Sequence, residues 1–322
     1  MSAFLHAYLI GYLFWLSIAM GSVAILQLHF LSGGEWGRAA RVVWEAAAAT
    51  VLPMGVLFLP LGIWAASIYP WAAGRAPSLY LSMPMFWLRA LGYFASWGLM
   101  AWAVRRPSAE GRAYAAVRPT FAAGVGLVAY FLSTSFAAVD WAMSLQPAWG
   151  STAFGLIMIA GQGVAALAWA AIVLSGRDVE KKALNDLGNL TLAFVMLWGY
   201  VSFSQFLIAF EGDLPDEVRW YVPREHGAWA GVALALVIVQ FAAPFLLLLW
   251  RSVKRKGRAL AAVALALLIG RWLDLWWQVS PAYSPKAVTD GWLSAGGVLL
   301  LGLPWLYLFR REHRRRLAWE RP

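Results

Sequence analysis

The sequence predicts an all-α, polytopic membrane bundle of about nine transmembrane helices, forming one integral domain over residues 1–322. Three observations predict it. The chain is 61% hydrophobic and 13% charged, where a soluble protein carries roughly 25% charged residues. Uncharged runs of about 20 residues recur from end to end, the length that crosses a hydrocarbon core of roughly 30 Å. Between those runs, Lys and Arg gather on alternate loops. The absence of cysteine excludes disulfides, thiolate-held iron–sulfur clusters and thioether-bound haem in this chain. With four histidines, a metal centre would need nearly all of them.

The apolar runs fall at 5–31, 42–69, 85–104, 120–143, 151–175, 190–210, 229–250, 259–278 and 291–309. The first has no basic lead-in and starts close to Met1, so it is expected to stay as a span and not to be a cleaved signal. The loops after the first, third, fifth and seventh runs, together with the tail, hold 20 of the 26 Lys and Arg. The opposite loops hold only Arg75, Arg219, Arg224 and Lys286, and Arg89 and Arg271 fall inside runs. Basic loops stay in the cytoplasm, which places the N-terminus outside and the tail inside. Topology and attraction to anionic lipid account for the basic tail, and nucleic-acid binding is not needed to explain it.

Within the runs, small residues are dense at Ala46–Ala49, Gly124, Gly126, Gly161, Gly163 and Ala259–Ala266, where helix backbones are expected to approach closely. Pro53, Pro60 and Pro244 are expected to kink their helices. The tryptophans are expected mainly as interfacial anchors. The outer loop 211–228 sets Glu211, Asp213, Asp216, Glu217 and Glu225 against Arg219 and Arg224, and also holds Trp220, Tyr221 and His226. No internal repeat is evident, which argues against an inverted-repeat transporter.

Ionisable side chains inside apolar runs carry the functional reading. Arg271 and Asp274 are spaced to share one face of a helix. They are either an orienting ion pair or a protonatable site, since intramembrane charges face interiors and pathways. Asp140 closes the fourth run at the turn Asp140-Trp141-Ala142-Met143-Ser144-Leu145, with Ser135 and Tyr130 below it. Arg89 lies one turn into the third run, and Ser202, Ser204 and Gln205 lie in the outer half of the sixth. Their shared depth predicts an outer polar cluster. On the cytoplasmic side His29 and Glu45 form a candidate proton inlet. The alternative there is a snorkelling His29 and an interfacial Glu45 paired with Arg41. His226 is expected to be a loop hydrogen-bonding group. A bis-His haem would need both His6 and His226 on the outer side.

Several blocks resemble one protein family: Tyr12-Leu13-Phe14-Trp15-Leu16 with Gly21 and His29, Gly33-Gly34-Glu35-Trp36-Gly37, Asp140 to Leu145, Ser204-Gln205-Phe206-Leu207-Ile208, Trp220-Tyr221 with His226-Gly227, and Arg271-Trp272-Leu273-Asp274. The chain resembles the ActF-type, NrfD-like membrane subunit of alternative complex III, the bacterial quinol:cytochrome c oxidoreductase. That resemblance implies two four-helix bundles plus a peripheral helix in a bacterial cytoplasmic membrane, with no cofactor in this chain. It implies partners: a sister NrfD-like subunit usually assigned the quinol site, an iron–sulfur and molybdopterin-like subunit, multihaem and monohaem cytochromes c, and a terminal oxidase. Haem c and iron–sulfur clusters would reside in those partners, with quinol as substrate of the whole. This subunit would be non-catalytic by itself and would carry a proton path, with His29, Asp140, Arg271, Asp274 and His226 as the matched residues. Two departures stand out: Phe30 and Ala148 occupy positions where relatives often have His. Relatives also often begin with one more helix, whose absence here would fit an outside N-terminus.

Two other functions are consistent with the residues. A quinone-binding subunit would use Trp87, Tyr93 and Trp97 as walls with His29 and Glu45 as polar contacts. A stand-alone proton-coupled transporter would need more polar residues for its solute than these runs contain.

Overall fold

A computed structural model of the chain describes residues 2–74, 78–104, 119–212, 214–285, 288 and 290–320. Arg75, the arginines of 105–118, Asp213, Lys286 and Arg321 lie outside the described residues. Among those described, all regular structure is helical.

Helix α1 runs Ser2–Ser32 and turns through Gly33 and Gly34 into α2, Glu35–Ala48. Both turn glycines hold positive φ, 70° and 105°, which a side chain would resist. After a break at Ala49 and Thr50, α3 continues over Val51–Ile63. Pro53 accounts for the break, because it has no N–H for the Ala49 carbonyl. A single turn, α4 at Ala65–Ile68, precedes α5 at Met83–Ala103. Then come α6 at Pro119–Trp141, α7 at Phe154–Leu174 and α8 at Lys181–Gly212. Two short turns, α9 at Pro215–Val218 and α10 at Val222–Glu225, lie within the acidic loop. The next apolar run is three pieces: α11 at Ala228–Leu236, a π-turn at Val237–Ala242, and α12 at Ala243–Leu249. The turn α13, Arg251–Lys254, leads to α14 at Gly257–Val279, and α15 runs Gly291–Glu320.

Among the described residues, eight stretches are long and apolar enough to cross a membrane: Ser2–Ser32, Glu35–Ile63, Thr120–Leu145, Phe154–Leu174, Lys181–Gly212, Ala228–Leu249, Gly257–Ala282 and Gly291–Ala318. The chain is thus a multi-pass membrane protein, as its composition predicts. The third predicted run, α5, has 21 residues but is less apolar, since Arg89 and Trp87, Trp97 and Trp102 dilute its aliphatic side chains. Among the boundaries that differ from the predicted runs, two lie at charged helix ends. Helix α8 begins at Lys181 and α15 continues to Glu320, because Lys, Arg and Glu are good helix formers and a helix need not stop where the lipid does.

Helix α1 is the axis. Its spanning stretch is 94% buried, against 22% for α8, as a helix apolar on every side requires. It packs on α2, α3, α6, α7, α14 and α15. Helix α15 lies beside it and parallel to it. Gly11 meets Gly297 backbone to backbone, where any Cβ would collide, and the Trp15 indole donates to the Val298 carbonyl at 2.8 Å. Further along, Trp15 stacks on Trp305 with centroids 4.6 Å apart. The helix pair therefore defines an amino end, where both begin, and a carboxy end, where both finish. Tryptophans divide between two roles. Trp64, Trp102, Trp250 and Trp292 are exposed near helix ends, as expected of anchors, while Trp44, Trp97, Trp141, Trp229 and Trp305 are fully buried core. Packing won at the latter positions because the indole is the largest apolar filler available.

Candidate functional site

Two acids that are almost wholly buried, Asp140 and Asp274, mark the amino-end half. Asp140 sits on the last turn of α6 with no exposure. Arg89, one turn into α5, grips it with two hydrogen bonds: Nε to Oδ2 at 2.7 Å and Nη2 to Oδ1 at 3.0 Å. The Tyr93 hydroxyl, one helical turn beyond Arg89, donates to the same Oδ2 at 2.7 Å. The third guanidinium nitrogen donates to the Tyr80 carbonyl at 2.8 Å, and the Tyr80 ring lies 3.8 Å beneath the guanidinium. Burial, with Asp140 nearby, pushes the Tyr80 phenol up to about 12. The turn after Asp140 is also fixed. Ser144 Oγ donates to the Asp140 carbonyl at 2.6 Å and accepts from the Trp71 indole at 3.1 Å, while Tyr69 donates to the Trp141 carbonyl at 3.1 Å.

The second acid is Asp274 on α14, 1% exposed, beside Arg271 with no exposure. The predicted spacing works as expected: Arg271 Nη1 donates to Asp274 Oδ2 at 2.6 Å within one turn. The other carboxylate oxygen accepts from Gln278 Nε2 at 2.6 Å. The remaining guanidinium nitrogens reach Ser17 Oγ on α1, at 3.2 Å from Nε and 3.0 Å from Nη2. Gly161 on α7 makes the room, since a Cβ there would collide with the guanidinium. Tyr130 donates to Gln162 Oε1 at 2.7 Å, beside that Arg271 contact. A polar seam thus runs from α6 through α7 to α14 and α1 at mid-bundle. Removing a partner from such a pair costs about 3–5 kcal/mol, because a buried charge is left uncompensated.

Members of the predicted outer cluster bond in two groups, one around Asp140 and one around Arg271 and Asp274, with no hydrogen bond joining the groups among the described residues. Gln205 joins neither site and instead accepts a hydrogen bond from Ser151 in the α6–α7 connection. Ser135 is half-buried and packs on Gly155 of α7. At the carboxy end, Glu45 adopts the alternative reading and pairs with Arg41, Nε to Oε1, at 2.6 Å. Its other oxygen accepts from Arg316 Nη1 at 2.6 Å, from far down α15. His29 bonds the Gly33 carbonyl at 3.2 Å and lies edge-on to Trp36, with Gly37 pressed against its ring. His226 is exposed and bonds the nearby Val222 carbonyl at 2.9 Å, the local role expected of it. His6 stacks on Tyr283 at 3.8 Å, and Tyr283 donates to Asp290 Oδ2 at 2.5 Å. Among the described residues no group of three or more His, Asp or Glu is placed to hold a metal.

Several residues escaped the sequence reading. Ser17, Gln278 and Arg316 carry no local signal, because their partners are distant in the chain or ordinary in kind. Arg224 reads as an outer loop cation, yet it is fully buried and caps α14. It donates to the carbonyls of Trp277 at 3.1 Å and Gln278 at 2.7 Å, lies 3.6 Å over the Trp220 ring, and also bonds the Trp220 carbonyl. A cation at a helix C-terminus complements its dipole, and burial pushes the Arg224 guanidinium well down from its ordinary value. No protein-family model matches the chain, and no curated protein matches it.

Proposed function

We propose that this chain is a membrane subunit of a quinol-oxidising electron-transfer complex, a helical scaffold that also carries a proton path through Asp140, Arg271 and Asp274. The observation that carries the path is the full burial of two carboxyl groups in apolar helices, each tied to an arginine and a neutral hydrogen-bonding side chain. Such groups rarely repay their desolvation, so their presence points to an acting or orienting role. The complex itself is supported by the resemblance of the sequence blocks. Quinol and the haem c and iron–sulfur partners belong to that resemblance. Non-catalytic by itself, the chain would rely on those partners for electron transfer.

The reading includes nine crossings with the N-terminus outside and the tail in the cytoplasm. Supporting the ninth, Arg89 near the start of α5 meets Asp140 at the end of α6, so the two helices run antiparallel. The end of α5 and the start of α6 then lie on the opposite side, in keeping with basic loops that share one face. A quinone site walled by Trp87, Tyr93 and Trp97 is the weaker reading. The Tyr93 hydroxyl is committed to Asp140, the Trp97 indole to Ser133 at 2.9 Å, and Glu45 to two arginines.

Two measurements test this. Purification from the native membrane should bring haem c and iron–sulfur subunits with the chain, and recovery of an active lone polypeptide would end the complex assignment. Asp274→Asn should assemble yet lower the protons moved per electron, because the amide still accepts from Arg271 but cannot titrate. An unchanged ratio would reject the path and leave the scaffold.

A further inference from the structure

The run 228–249 departs from α-helix at one place. The residue whose N–H would close the turn on the Gln240 carbonyl is Pro244, which has none, and the backbone widens into the π-turn Val237–Ala242 around it. Single π-turns inside α-helices are frequently at functional sites. Gln240 is fully buried there, and neither its amide nitrogen nor its amide oxygen has a hydrogen-bond partner among the described residues. An amide has two donors and two acceptor lone pairs to satisfy.

The side chain lies against the backbone of Gly270, where a Cβ would collide with the Gln240 amide oxygen. Gly270 is one helical turn from Asp274 on the same face of α14. Gly199 of α8 packs on Phe241, which brings the neighbouring Trp198 to the same place. The Trp198 indole N–H faces the Asp274 carboxyl but falls outside ordinary hydrogen-bond geometry with any partner among the described residues. Gln278, the residue that donates to Asp274, leaves its own amide oxygen without a partner. Three helices therefore bring unsatisfied donors and acceptors to the turns of α14 around Asp274. Such buried groups are satisfied by ordered water when the site is polar and two to four partners converge.

We propose that Gln240, Trp198, Gln278 and Asp274 line an internal water site, opened by the π-turn, that hydrates the acid from the Gly270 side of α14. Water there gives Asp274 a proton-exchange partner, which the permanently protonated Arg271 is not. Its use in proton movement rests on the function proposed above, while the hydration itself does not. The site also places the approach to Asp274 between α8, the π-turn and α14.

Hydroxyl-radical footprinting of the protein in lipid nanodiscs tests it, with water as the probe. Trp198 should be oxidised several-fold faster than Trp44 and Trp97, which are comparably buried at 4%, 0% and 1% exposure respectively. Gln240→Leu should bring the Trp198 rate down to theirs, and Gln240→Glu should keep it high. Unchanged Trp44 labelling in both variants reports an intact fold. Slow Trp198 labelling in the parent protein would overturn the site, and so would fast labelling that Gln240→Leu leaves untouched. Either result leaves the Asp274→Asn proton measurement standing, and an unchanged proton ratio leaves the water site standing.

Discussion

Two arginine–aspartate pairs solve the same problem in different ways. Arg89 and Asp140 come from different helices, and the Arg89 side chain keeps 17% of its surface exposed. Arg271 and Asp274 come from one helix, and their side chains are 0% and 2% exposed. The first pair fastens α5 to α6 near the amino end, and its cation can still reach polar surroundings. The second pair fastens nothing by itself, since one helix already holds both members. Its tie to the bundle is Ser17 on the central helix, and its second acceptor is committed to Gln278. Charge pairing across helices builds architecture, whereas pairing within a helix at the core spends stability without adding a crosslink.

Four experiments would break or sharpen that contrast. The largest effect is expected from Asp274→Leu, which strands Arg271 and should cost about 3–5 kcal/mol. Thermal unfolding in detergent would read it, and the double variant Arg271→Met with Asp274→Leu should recover most of the loss. A double variant no better than the single one would mean that the pair holds the fold together directly. Asp140→Leu should cost less, about 1–3 kcal/mol, because Arg89 can extend its head toward polar surroundings. A loss equal to that of Asp274→Leu would erase the distinction between the sites. At the carboxy end, Glu45→Gln should cost about 1 kcal/mol, since the amide oxygen can still accept from one of the two arginines. Limited proteolysis should then cut the end of α15 sooner, and an unchanged cleavage rate would remove Arg316 as its fastening.

The smallest effect concerns pH. The folded Tyr80 phenol is held at about 12 against an ordinary 10.0. The folded state keeps that proton longer than the unfolded one, so stability falls as pH rises from about 10 to about 12. Tyr80→Phe keeps the ring under Arg89 and should flatten the alkaline limb of a stability–pH curve in that window. A limb of unchanged slope would assign the loss to other tyrosines.

Part of the site was legible because its members share a helix. The spacing of Arg271 and Asp274 fixes their pairing wherever the helix sits, and Pro244 marks a backbone that must depart from α-helix nearby. Glu45 with Arg41 is legible for the same reason. The tie between Arg89 and Asp140 spans 51 residues and that between Arg316 and Glu45 spans 271. Depth along a span ranks such residues together but does not give their angle around the helix, which is why Gln205 could be grouped with Asp140 and yet bond Ser151.

By itself the sequence determined that this chain is helical and lives in a membrane. Those properties follow from transfer free energies and backbone hydrogen bonding summed along each run, and each run carries that information alone. Only the tertiary structure decided which buried charge meets which partner, which helix is the axis and where unsatisfied amides converge. Helix rotation and neighbour choice are set by close packing at glycines such as Gly11, Gly161 and Gly270, contacts between segments that no single run encodes.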